Sequence, residues 1–327
     1  MRALQSTAFT IAIATGVALA AAPVFAQAQQ KFPSKPVRLV VGVPAGSGPD
    51  TFARIIGQKM SESWGRPVVV DNRPGAGGAL AGGIVAKAAP DGHTLLLTPS
   101  FAISAALHPN LPYDPLKDFA GVTQIGFNIQ ALIVAPSLGV KSVNDLIALA
   151  KAQPGKIIYS SGGAGSNTHL SGERFRLAAG IKVVNVAFKA GSEALIETLA
   201  GRTHYCFAGV APALQFIQDG KLLALAVNAP QRLPILPDVP ALAETLPDFK
   251  KPESSTGLLA PAKTPRPVLN QISKEVARIL DLPDIKERLQ AFGFAPAPST
   301  PEEYDKIVRE QIETLTKLVR DAGLRSK

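Results

Sequence analysis

After Pro36 the apolar and polar positions repeat one rhythm: a short β-branched apolar run, a Gly/Pro/Ser loop, then a stretch with helical spacing. "VRLVVGV" leads through "PAGSGP" to a helix over Asp50 to Trp64. "RPVVVDN" leads through "RPGAGG" to a helix over Ala79 to Ala88, and "HTLLLTP" to a short helix ending near Leu107. Parallel strands joined by crossover helices have this signature.

A long extended run, "VTQIGFNIQALIVAP", interrupts the rhythm, and Ser142 then caps a new helix. The rhythm restarts with "KIIYSS", the loop "GGAGSNT" and a helix from His169. "KVVNVAF" leads through "KAGS" to a helix from Glu193, "THYCFAG" to one near Ala213, and "KLLALAVNA" follows. Finally "SSTGLLAPA" is a second isolated strand, after which only helices are expected: Pro265 to Leu280, Pro283 to Phe292 and Pro301 to Ala322. Two long strands that bracket the middle block predict that the chain crosses to a second lobe near Ala131 and returns near Gly257. The expected architecture is α/β and two-lobed with a double-strand hinge, able to close about a cleft as periplasmic binding proteins do. The first lobe would hold 31–130 and 257–327, and the second 131–256. One continuous sheet is the alternative.

The first 26 residues stand apart. Arg2 precedes an apolar run from Ala8 to Ala22 that ends in Val24, Phe25 and Ala26, the pattern of an export signal, with cleavage after Ala26 or Ala28. The expected destination is therefore the periplasm. Cys206 is the only cysteine, sits in an apolar strand, and reads as a core side chain. The net charge of +9, one unit of which leaves with Arg2, favours anionic partners. Scattered basic residues without aromatic interleaving argue against nucleic acid.

Open α/β sheets bind ligands at the carboxyl ends of their strands, where helix N-termini present unpaired N–H groups. Three loops qualify: Gly46, Ser47 and Gly48; Gly162 to Thr168; and Lys189, Gly191 and Ser192. All suit a small anion such as a carboxylate. Pro49 offers no N–H, so the donors of the first loop should be its neighbours, and Asp50, with Arg54 one turn on, reads more as a cap than as a ligand contact. His169 opens a helix beside a Gly/Ser loop, whereas His93 reads as structural. No nucleotide motif is complete, since "GSGPDT" and "GAGGAL" lack the last glycine. No metal spacing and no nucleophile elbow occur, so no cofactor, metal or catalytic residue is expected.

Spread over essentially all of the chain after the leader are "KFPSKPVRLVV", "VVVDNRPGAGG", "KAAPDGHTLLL", "LPYDPLKDF", "LIALAKAQPGKIIYSS", "GKLLALAV", "LPDVPALAE" and "GLLAPAKTP". In order and spacing these resemble the Bug solute-binding proteins, the extracytoplasmic receptors of tripartite tricarboxylate transporters. The resemblance implies a Venus-flytrap fold that traps a carboxylate and delivers it to a membrane permease. It also implies a grip by main-chain amides over Ala45 to Asp50, and contacts from Pro99 to Ala102 and from "GGAGSNTH", "FKAGS" and "FAGV". The candidate ligand set is Ala45, Gly46, Ser47, Gly48, Asp50, Ser100, Phe101, Ser161, Ser166, Asn167, Thr168, His169, Lys189, Ser192 and Gly209. Ala45 and Pro49 depart from the family's usual first loop, "FAGV" replaces an acid-amide pair, Phe188 a tyrosine, and Ser255 and Thr256 frequent aromatics. These changes point away from a simple amino acid and towards an uncharged or bulkier body on a mono-, di- or tricarboxylate, aromatic acids included. The protein is expected to act as a monomer. An exported hydrolase or isomerase using His169, and a sensor for a signalling partner, are the competing readings.

Overall fold

The computed structural model describes residues 32–250 and 255–324. The expected export signal lies outside them. Among the described residues the order opens with β1 (Val37–Val41), α1 (Gly48–Trp64), β2 (Val68–Asn72), α2 (Ala79–Ala86), β3 (Thr94–Thr98) and α3 (Phe101–Leu107). It continues with β4 (Phe119–Asn128), β5 (Gln130–Val134), α4 (Val143–Ala152), β6 (Ile158–Ser161), α5 (Asn167–Ala179), β7 (Val184–Ala187) and α6 (Gly191–Leu199). The last elements are β8 (Tyr205–Gly209), α7 (Val210–Gln218), β9 (Leu223–Asn228), β10 (Thr256–Pro261), α8 (Arg266–Leu280), α9 (Pro283–Ala291), β11 (Phe294–Pro296) and α10 (Pro301–Asp321).

The strands form two sheets, ordered β11-β4-β10-β3-β1-β2 and β7-β6-β8-β5-β9. Where strand and helix alternate the pairing is parallel, as between β1 and β2, β1 and β3, β6 and β7, and β6 and β8. The long strands do not follow that rule. β10 runs antiparallel to β3 and β4, and β5 antiparallel to β8 and β9, so both sheets are mixed. β4 and β5 have no crossover helix between them and are one extended run that changes sheets at Ile129, a residue only 1% exposed. The Ile129 N–H donates to the Gly293 carbonyl at 2.9 Å, and its own carbonyl accepts from the Val210 N–H at 3.0 Å. The expectation that only helices follow β10 is corrected by β11, a three-residue edge strand on β4 whose Pro296 is tolerated because an edge has no further ladder to feed.

Away from the edge strands β2 and β7, both sheets are buried on both faces, which is why their strands read as near-continuous apolar runs. In β1, Leu39 and Val41 pack with Phe52, Ile56, Ile272, Val276 and Leu289 on one face, while Val40 joins Leu96, Phe101, Tyr304 and Val308 on the other. In β5, Leu132 and Val134 pack against Tyr159, Phe175 and Phe207, while Ala131 and Ile133 meet Leu195, Cys206 and Val227. The apolar stripe of α8 recurs as Leu269, Ile272, Val276 and Ile279, and a Thr300/Glu303 capping box starts α10.

Candidate functional site

At the carboxyl end of β1 the first loop is organised by one buried carboxylate. Asp50, 2% exposed, stands at the third position of α1. Its Oδ2 accepts from the Gly46 N–H at 2.8 Å and from Arg54 Nε at 3.0 Å, and its Oδ1 accepts from Asn72 Nδ2 at 2.8 Å. Burial pushes this carboxyl up, but the hydrogen bonds from Arg54, Gly46 and Asn72 outweigh it and hold the group below the usual carboxylate range. Asp50 is therefore an ionised hub. The Ser47 hydroxyl donates to the Pro44 carbonyl at 2.7 Å. Gly46, expected to present its amide outward, thus has its N–H engaged inside the loop, and the Ser47 hydroxyl is engaged likewise. What remains are the Gly48 and Asp50 N–H groups, in the first turn of α1, where no intrahelical carbonyl reaches them. Ala45 lies exposed in the same loop.

Two more loops converge on this edge. The Gly77 carbonyl accepts from the Ser100 hydroxyl at 2.8 Å and the Ser104 hydroxyl at 2.5 Å. A Cβ placed on Gly42 would stand 3.3 Å from both Gly78 Cα and Thr98 Oγ1, so the ends of β1 and β3 and the "RPGAGG" loop meet with no space to spare. Asn72, Gly77, Gly78 and Ser104 were not singled out in the sequence, although "RPGAGG" repeats the same strand–glycine–helix rhythm. The Phe101 ring is packed inward against Tyr113 and Phe119, with centroids at 6.1 and 5.0 Å, so only its backbone faces the edge.

The second sheet builds its loop from neutral groups. The Ser166 hydroxyl caps α5 by accepting from the His169 N–H at 3.2 Å and lies 3.0 Å from the Thr168 hydroxyl. Thr168 Oγ1 accepts from the Gly162 N–H at 2.8 Å, and His169 Nδ1 accepts from the Gly165 N–H at 3.0 Å. That last bond places the imidazole proton on Nε2. Burial lowers the His169 pKa despite the opposing field of Glu173, so the ring is neutral at pH 7. Ser161, buried, is tied to Asn185 at 3.0 Å. The half-buried carboxamide of Asn167 has no hydrogen bond among the described residues, and the N–H groups of Asn167 and Thr168 open α5.

The neighbouring loop after β7 lies against this one, since a Cβ on Gly162 would stand 2.6 Å from the Gly191 nitrogen. Its Ser192 is exposed in the first turn of α6, while Lys189, also exposed, donates its N–H to Glu193 at 3.1 Å. Gly209, the last residue of β8, pairs with Gln130 and caps α7 near the crossing point.

The chemistry offered is donation of N–H groups to an anion. His169 Nδ1 points at a backbone amide rather than a serine, and burial pushes the Cys206 thiol up to about 12. Among the described residues no group of three or more His, Cys, Asp or Glu could hold a metal ion. A cavity of about 260 Å³ lined by Leu116, Phe119, Leu259, Val308, Arg266 and Arg309 lies elsewhere. Thr98, at the loop edge, pairs with Gly257 at one end of β10, whereas this cavity borders Phe119, which pairs with Pro261 at the other end.

The model of the tripartite tricarboxylate transporter family receptor matches residues 52–324. The protein BugT of Bordetella pertussis is 31% identical over 311 residues, covering 94% of each chain. An R. palustris protein solved with adipate is 30% identical with a TM-score of 0.76, over 90% of this chain and 99% of that one. MatC from Rhodopseudomonas palustris, solved with bound malate, is 30% identical with a TM-score of 0.71, over 88% of this chain and 100% of that one.

Proposed function

The chain belongs to the tripartite tricarboxylate transporter family of receptors, and from that premise we propose that it is a periplasmic receptor that holds a small organic carboxylate between its two sets of loops and passes it to a membrane permease. In this reading 31–130 with 257–327 form one lobe and 131–256 the other. The observation that carries the reading is that α1, α5 and α6 all begin at the carboxyl edges of their sheets, with hydroxyls and one carboxylate engaged in shaping the loops. The unpaired N–H groups of Gly48, Asp50, Asn167, Thr168 and Ser192 are then the donors, aided by the positive ends of the helix dipoles. Asn167 adds a side-chain donor. His169 can give its Nε2 proton to a carboxylate without bringing a charge of its own. Adipate and malate in two solved relatives support a ligand with one or more carboxylates.

Binding leaves the ligand chemically unchanged, so the test is a thermal-shift series over adipate, malate and other organic acids, with each acid recovered intact. A ligand at a hundred times its dissociation constant adds about 2.7 kcal/mol to stability, a readily measured rise in melting temperature. No shift with any acid, or conversion of the acid, would overturn the proposal.

A further inference from the structure

The face of the second sheet that α5 covers is apolar until its last row. Across β8, β5 and β9, Phe207, Leu132 and Ala226 stand side by side in register and pack with Tyr159 and with Phe175 of α5. Residues two apart on a strand share a face. Two positions nearer the carboxyl ends of β8 and β9, the same register sets Gly209, Gln130 and Asn228 side by side on that face. An apolar surface thus gives way to a glycine and two carboxamides at the edge where Asn167 and Thr168 open α5. Gln130 is the first residue of β5, directly after the crossing at Ile129.

The Gln130 carboxamide has a fixed orientation. Ser171, one helical turn beyond Asn167 and 1% exposed, donates its hydroxyl to Gln130 Oε1 at 2.6 Å. Held by its oxygen, the amide turns Nε2 away from Ser171. Nε2 has no hydrogen-bond partner among the described residues and is not sealed from solvent, on a residue that is half-buried. Its neighbour Gly209 brings no side chain, and a Cβ there would meet only Pro212 within 4 Å, at 3.4 Å. Gln130 therefore offers an oriented N–H pair, without charge, beside an open glycine position.

We infer that Gln130 is a specificity-determining residue of the site described under Proposed function, on which this inference rests. Its Nε2 donates to a second oxygen of the ligand while the backbone amides hold the first carboxylate, and Ser171 is the positioning residue that aims it. The class selected is acids with a further acceptor on the body, dicarboxylates and hydroxy acids, over plain hydrocarbon monocarboxylates. A site built to hydrogen-bond an oxygen rejects the analogue that lacks it, because its donor then loses water and gains no partner.

The test compares adipate with hexanoate and malate with butyrate, pairs of equal chain length whose second member lacks every oxygen beyond the first carboxylate. Binding is measured by calorimetry on the full chain, on Gln130→Met and on Gln130→Glu. The wild type is expected to bind the oxygen-rich member of a pair at least about tenfold more tightly. Gln130→Met, which removes the amide at similar length, should weaken that member by about tenfold and leave the monocarboxylate unchanged. Gln130→Glu keeps an acceptor for Ser171 but puts a negative charge where the donor was, so it should weaken the dicarboxylate further. In ¹⁵N spectra of the wild type, the Gln130 side-chain amide signals, identified by their loss in either variant, should move with adipate or malate and stay in place with the monocarboxylates. Equal wild-type affinity within both pairs, equal losses for both members in Gln130→Met, or unmoved Gln130 signals at saturation overturns the assignment and leaves the proposed function standing. Absence of binding of both adipate and malate to the wild type overturns the two together. Should Gln130→Met not fold, Gln130→Glu, which retains the bond from Ser171, carries the comparison.

Discussion

The loops after β1 and β6 present the same kind of surface by different means. In the first, an ionised Asp50 gathers Gly46, Arg54 and Asn72 around itself. In the second, Ser166, Thr168 and a neutral His169 each take one backbone N–H. A buried charge gives stronger hydrogen bonds, and it leaves more unsatisfied when it is lost. Neutral caps bring no negative charge to the place where an anion is to sit. The comparison teaches that the side chains of both loops are engaged in shaping them, which leaves backbone N–H groups as the donors of the proposed site, with the one acid kept 2% exposed.

The sharpest way to break that contrast is to remove each organiser. Asp50→Ala strands three donors and is expected to lower stability in urea by about 3 kcal/mol. Ser166→Ala removes one cap and should cost about 1 kcal/mol. Equal losses, or a larger loss at Ser166, would show that the two loops are not built differently.

The smallest effect concerns pH. The folded His169 pKa lies below its ordinary value of 6.5, so the unfolded chain takes up the proton first. The stability this residue contributes is complete above pH 6.5 and is lost as pH falls through the folded value. For Asp50, also depressed, the contribution is complete above 3.8 and is lost only in stronger acid. Between pH 7 and 5 the second loop should weaken while the first holds. Urea midpoints at pH 7, 6 and 5 should fall for the wild type and change less for His169→Asn, which keeps an acceptor for Gly165. A wild-type midpoint that rises on acidification would contradict the sign.

Much of this was legible in the chain itself. Short β-branched apolar runs followed by helical spacing place β1 to β3 and their helices, Ser142 caps α4 as its position suggests, and the long apolar run from Val122 is the crossing strand. Less legible was pairing direction, because an antiparallel strand buried on both faces carries the same apolar run as a parallel one. β11 is too short for periodicity to declare. In the candidate site, Gly/Ser-rich loops could be found by composition, but which of their polar groups face inward could not. Gly46 and Ser47 look identical in the sequence to outward-facing donors, and only Asp50 folding back shows otherwise. Asn72 escaped notice for a similar reason: it ends an ordinary strand and acquires its role from Asp50, 22 positions earlier in the chain.

The central claim is that backbone amides of α1 and α5 hold the anion. It is tested most directly by titrating ¹⁵N-labelled protein with the acid that gives the largest thermal shift and following each amide by NMR. The account predicts the largest perturbations at Gly48, Asp50, Asn167 and Thr168. Silence at those four, with the response gathered instead around Arg266 and Arg309 at the far end of the first sheet, would contradict it.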